Sequence, residues 1–260
     1  MAMFAVLMIS MLSGCAKPQG DPDVKKVKMA KNPTIVSDNG MGSATPIRFG
    51  DIPDICYDVV IIEPVGVVLD GVDFDYYNSL VKARVVKSYV GSYSEGDEIM
   101  FLVSGTSKSV WYNLPITIWQ KSDARYVIGL REMIVEDGFN KGKDMLSSLS
   151  LDTTYFFILP YEVTTVGGTQ YVSHMVSSYN DPLMGEYEDI ITPEILFRAG
   201  DATVTDENTR KAVVIARKKT ADQYQVVIDD TMVVTLETFE NALKSFKPED
   251  WKATRIYNTP

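Results

Sequence analysis

The spacing of apolar and polar residues changes along the chain, and each change predicts an element. Tyr57-Asp-Val-Val-Ile-Ile-Glu63 is a short apolar, β-branched run closed by Pro64, and Val65 to Leu69 is a second run stopped by Asp70-Gly71; both predict strands. Val81-Lys-Ala-Arg-Val85 alternates apolar and basic residues, as a half-buried strand does. A turn segment from Gly91 to Gly96 then leads into Asp97-Glu-Ile-Met-Phe-Leu-Val103, which is expected to pair back as a hairpin. Arg125 to Val135 and Thr153 to Val166 continue the pattern. Gly167-Gly168, set before Tyr171-Val-Ser-His-Met-Val176, is the strongest hairpin signal in the chain, because paired glycines accept the positive φ of tight turns.

The last seventy residues read differently. Thr192-Pro193-Glu194 has the chemistry of a helix start, with Gly200 available to end the turn. Thr205-Asp-Glu-Asn runs into Arg217-Lys-Lys219, acids first and bases last, which favours a helix. The β-branched run Ala212-Val-Val-Ile-Ala216 between them fits a buried strand as well. Tyr224 to Ile228 and Met232 to Val234 predict strands, and Leu236, Phe239, Leu243 and Phe246 fall at helical spacing before Pro248. The expected class is α+β, mainly β: a small antiparallel barrel or sandwich, followed by a C-terminal segment with strands and one or two helices.

The N-terminal fifteen residues carry no charge and form one apolar run that ends in small residues. A bilayer-spanning helix needs about 20 residues, so the run predicts a removable export leader. Its end, Leu12-Ser13-Gly14-Cys15, resembles the lipobox of bacterial lipoproteins at all four positions, although no basic residue precedes it. The resemblance implies acylation of Cys15 through its sulfur and cleavage just before it. It also implies attachment to a bacterial membrane, facing the extracytoplasmic side. The expected organisation is a signal peptide over 1–14, a lipidated Cys and flexible tether over 15–50, and a β-rich body over 51–260. That body divides, on the same reading, into a barrel or sandwich over 51–185 and an α+β segment over 186–260. The stretch from Leu80 to Gly105, a strand, a Gly-punctuated turn and a strand, also resembles the opening of OB-like or netrin-like barrels. That likeness bears on shape, not activity.

Charge separates along the same boundaries. The 260 residues carry 25 basic and 35 acidic side chains, a net −10. Residues 16–50 hold six Lys/Arg and three Asp, a net +3, which leaves −13 on the body. A chain this acidic has no field with which to hold a phosphate backbone, so nucleic acid is not an expected partner. One His and two Cys exclude an ordinary His/Cys zinc site.

Candidate chemistry is sparse. Cys56 and His174 supply a thiol and an imidazole, but both sit in or beside apolar strand patterns. Ser79-Leu-Val-Lys82 and Ser37-Asp38-Asn39 match two fragments of the penicillin-interacting serine enzymes. The order is reversed, Ser79 enters a strand pattern and no K-T-G follows, so the match carries no activity. Residues 51–80 contain seven carboxylates and no Lys or Arg, and Asp70, Asp73 and Asp75 fall within six positions. Oxygen-rich clusters suit Ca²⁺, yet the spacing is not that of an EF-hand loop. Trp111, Tyr112 and Trp119 surround a Pro-interrupted segment and are the candidate ligand-binding face, with barrel plugging the competing role. The expected function is a membrane-anchored, non-enzymatic binding module for an extracytoplasmic protein or an envelope polymer, without a cofactor. The alternative is an envelope hydrolase using carboxylates or Cys56 and His174.

Overall fold

A computed structural model describes residues 23–36, 52–71, 78–111, 115–134, 153–174, 204, 206–220 and 233–252. Its centre is a seven-stranded sheet in the order β4-β3-β2-β6-β7-β8-β9. These strands are β2 (Asp58–Leu69), β3 (Asn78–Val90), β4 (Glu98–Ser104), β6 (Arg125–Ile134), β7 (Thr153–Val166), β8 (Thr169–His174) and β9 (Val233–Thr235). Their neighbours in the sheet pair antiparallel, and one parallel pairing, Leu102 opposite Phe156, brings β4 back to β7. Five strands thereby close into a barrel, and β8 and β9 extend the sheet beyond it. A separate parallel pair joins β1 (Thr34–Val36) to β5 (Ser109–Trp111). The mainly β, antiparallel class expected from the sequence is the class observed.

Alternation along the barrel strands fills the interior. Val60 and Ile62 of β2, Val81, Ala83 and Val85 of β3, Ile99, Phe101 and Val103 of β4, and Tyr126, Ile128 and Leu130 of β6 form one buried cluster. Trp119, in the 3₁₀ turn Ile116–Gln120, lies in the same cluster. Its indole meets Phe101 edge-on at 5.5 Å and Tyr126 at 5.3 Å between ring centroids. Small barrels are filled by side chains, and a wide aromatic is an efficient plug.

A second core covers the outer side. Val59 and Ile61 of β2, Val127 of β6, Tyr161 and Val163 of β7, Val172 of β8 and Val234 of β9 pack with α1 (Ile52–Ile55) and α3 (Leu236–Lys244) through Ile52, Leu236, Phe239 and Leu243. The 3.6-residue spacing that predicted α3 is the reason its apolar stripe meets the sheet. Thr235 caps that helix by accepting from the Thr238 N–H at 3.1 Å.

One expectation required adjustment. Pro64 was expected to end one strand and separate it from the next, but β2 runs through it from Asp58 to Leu69. β6 pairs with β2 only over Asp58–Ile62, so the missing proline N–H costs no bond on that edge. Register against β3 then slips, with Pro64 opposite Ala83 and Gly66 opposite Lys82, so Val65 is an extra residue. The bulge shifts the inward positions from even (Val60, Ile62) to odd (Val67) and bends the strand. The helix favoured over Ala212–Ala216 is observed, since the run lies within α2 (Glu207–Thr220). Asp206 begins the helix by accepting from the Thr209 N–H at 2.7 Å, and Val213 is fully buried. The expected helix near Thr192 and the strand over 224–228 lie outside the described residues.

Hairpin chemistry follows the glycines. Gly167 and Gly168 have φ of +58° and +83°, as a tight turn between β7 and β8 requires. Gly91 has a stronger constraint: at φ +108° a Cβ would stand 1.8 Å from Asp58 Oδ1. The adjacent Ser92 N–H donates to that oxygen at 2.6 Å, so the turn after β3 is fastened to the start of β2.

Two substitutions probe this frame by thermal or denaturant unfolding. Gly91→Ala is expected to cost about 2 kcal/mol or more through positive φ and overlap with Asp58. Trp119→Ala is expected to cost about 3–5 kcal/mol by opening the barrel interior. A change under about 0.5 kcal/mol in either variant would contradict the packing described.

Candidate functional site

Of the described residues singled out in the sequence, Trp119 lies in the barrel interior, Cys56 in the outer core and Asp70 at the surface. Cys15, Tyr112, Asp73 and Asp75 lie outside the described residues. Trp111 closes β5, and Trp119 is 2% exposed inside the barrel, so its indole offers no face to solvent. Asp70 is exposed at the end of β2, where its Oδ1 accepts from the Ser107 N–H at 2.8 Å. Among the described residues no group of three or more His, Cys, Asp or Glu is placed to hold a metal ion.

Ser79 and Lys82, which mimic a catalytic S-x-x-K, are both structural. The Ser79 hydroxyl donates to the Gly105 carbonyl at 2.8 Å and accepts from the Gly71 N–H at 3.2 Å. It therefore ties the ends of β2 and β4 together, since Gly71 stands two residues past β2 and Gly105 directly follows β4. Lys82 is buried on β3, and its ammonium meets Glu98 Oε2 at 2.6 Å on β4. A buried ammonium needs such a partner to stay charged.

Cys56 follows α1 and is completely buried in the outer core. Burial, and secondarily the negative charge of Asp58, push its thiol from 9.0 up to about 12. Tyr161, packed in the same core, is also raised, first by burial and then by its coupling to Cys56. His174 stands opposite Tyr161 in the β7–β8 ladder. The fold thus sets the His174 backbone beside a strand whose Tyr161 shares the outer core with Cys56. What it does to the thiol is the reverse of nucleophile activation, which requires the thiolate.

One polar cluster has no signature in the local sequence. Lys87 and Tyr89, two residues apart on β3, both donate to Glu240 Oε1 of α3, at 2.7 and 2.8 Å. The Lys87 ammonium also lies 5.1 Å from the Tyr89 ring centroid. Burial pushes the Glu240 carboxyl up, but the hydrogen bonds from Lys87 and Tyr89 and the charges of Lys87 and Lys244 outweigh it, leaving a net lowering. Tyr89 is raised by burial, then by its bond to Glu240 and that carboxylate's charge. The cluster clamps α3 to the barrel. No local spacing announces it, because the partners stand about 150 residues apart.

The N-terminal segment forms the other organised surface. Residues 23–36, which the sequence assigns to the tether, lie along the barrel. The Lys25 N–H donates to the Val67 carbonyl at 2.6 Å on the edge of β2 that β6 leaves free. Val27 exchanges two bonds with the Gln120 amide, at 2.8 and 2.9 Å. The Ala30 and Thr34 N–H groups donate to the carbonyls of Ser107 and Lys108.

Comparison with family models, with curated proteins and with solved structures finds no match.

The state of Cys56 is directly measurable. A thiol reagent at pH 8 is expected to leave the native protein unmodified and to react fully in denaturant. The fold accommodates the neutral thiol, so its contribution to stability is complete below pH 9.0 and is lost as pH rises toward about 12. Cys56→Ala is expected to flatten the decline in unfolding free energy over that interval, by up to ~1.4 kcal/mol per pH unit. Fast modification of the native protein, or an unchanged alkaline slope in the variant, would refute the assignment.

Proposed function

We propose that the chain is a membrane-anchored extracytoplasmic lipoprotein whose β-rich body acts as a non-enzymatic binding module of the cell envelope. The observation that carries this reading is the uncharged run ending in Leu12-Ser13-Gly14-Cys15. One acyl chain holds a protein only marginally, whereas a multiply acylated Cys15 anchors stably, at about 0.8 kcal/mol per buried methylene. Among the described residues no helix is long and apolar enough to cross a membrane, so the anchor bears the attachment in this reading.

The body supports a binding role over a hydrolytic one. Cys56 is buried and held neutral. Ser79 and Lys82 are committed to strand ends and to an ion pair. Partners are an extracytoplasmic protein or an envelope polymer, in keeping with a net −10 that disfavours nucleic acid. The β3-turn-β4 stretch that resembles OB-like or netrin-like barrels contributes two of the five barrel strands. This likeness concerns shape, and a shape alone does not set an activity.

Mass spectrometry of protein extracted from membranes tests the anchor. The mature chain is expected to begin at Cys15 and to carry the mass of two or more acyl chains, and Cys15→Ser is expected to abolish both acylation and cleavage at that point. A mature N terminus elsewhere, or an unmodified Cys15, would falsify the proposal.

A further inference from the structure

We infer that the body rests on the membrane through one particular face, the basic strap of residues 23–31, and that this face recognises an anionic lipid surface. The inference deepens the anchoring reading and rests on it. The strap is fastened to three barrel elements: β2 at Val67, the 3₁₀ turn at Gln120 and the β4–β5 connection at Ser107. Its period is two. Val27 and Met29 are half-buried against the barrel core, while Lys26 and Lys28 between and before them are exposed. Lys25 and Lys31 are exposed as well, and none of these four ammonium groups forms an ion pair with a described residue. Lys108, where Thr34 is tied down, is a fifth exposed cation beside them. Among the described residues, Asp23 on the strap and Asp70, which accepts from Ser107, are acidic side chains close by.

A protein of net −10 thus carries a localised positive face, and that face lies where the chain arrives from Cys15. Val24, at the start of the strap, is 43% exposed and is the large apolar side chain left in solvent among the described residues. An exposed apolar residue followed directly by two lysines suits the headgroup boundary of an anionic leaflet. The leash is short: seven residues lie between Cys15 and Asp23, eight steps that at full extension reach at most about 29 Å. Screening restricts electrostatic attraction to about 8–10 Å, so only a face held this near the lipid benefits from it. The acidic remainder of the body is repelled by the same leaflet, which favours one orientation.

Lysine footprinting on the intact lipidated protein tests the orientation. The protein is inserted into preformed vesicles of phosphatidylcholine alone or of phosphatidylcholine with phosphatidylglycerol, pulsed with an amine-acetylating reagent and digested for mass spectrometry. Lys25, Lys26, Lys28 and Lys31 are expected to react at least about fivefold more slowly in anionic than in neutral vesicles, relative to Lys244 and Lys247, and to recover in high salt. Equal labelling in the two vesicle types overturns the proposal, because proximity alone then accounts for any protection. So does protection by soluble polyphosphate in detergent without protection by anionic vesicles, which assigns the face to an envelope polymer. The N-terminal peptide in the same digests separates the two readings. An unacylated Cys15 overturns both, whereas an acylated Cys15 with unprotected lysines overturns the orientation alone.

Discussion

Strand β2 has no solvent face over its first half, and the rest of the fold is arranged around that constraint. Val60 and Ile62 point into the barrel while Val59 and Ile61 point into the outer core, and all four are buried. A strand in this position needs cover on both sides and partners on both edges. The barrel supplies one cover, and α1 and α3 supply the other. β3 pairs along its whole length, and β6 pairs only as far as Ile62. Beyond that point the free edge is met by the N-terminal segment at Lys25. The docking of that segment and the tolerance of Pro64 both follow from where β6 stops, while the bulge at Val65 lies in the pairing with β3.

Polar groups in the interior serve the same frame. Asp58 fastens the turn at Ser92, Ser79 joins the ends of two strands, and Lys82 is neutralised by Glu98. The Lys87-Tyr89-Glu240 cluster holds the helix that closes the outer core. Each is a structural use of a residue type that serves as a catalytic group elsewhere. Burial decides between the two uses, because it keeps Cys56 neutral where a nucleophile must be ionised.

Electrostatics gives the molecule a polarity that its composition conceals. Four exposed lysines of the strap are concentrated at the N-terminal approach to a body of opposite sign. Over residues 26–29 the strap alternates inward apolar and outward basic positions, so its docking and part of its charge display follow from one pattern. A free tether with the same lysines would spread its charge through solution, whereas a docked strap fixes it on one face.

Local sequence determined those features whose physics is local. The α3 stripe, the hairpin at Gly167-Gly168, the β3–β4 hairpin and the lipobox-like run at Cys15 depend on residues a few positions apart, and their periodicity or turn chemistry is readable directly. Tertiary structure decided whatever depends on distant partners. The β-branched run at Ala212 became helix because neither an acid-first helix start nor a buried strand is excluded locally, and packing of Val213 settled the choice. The two strands read around Pro64 became one because the edge that a proline cannot bond was already vacant of β6. Trp119 is a plug because Phe101 and Tyr126, on strands remote in sequence, close around it. The strap was read as tether because its lysines and short apolar residues carry no long-range signal, and only the open edge of β2 gives it a place to dock.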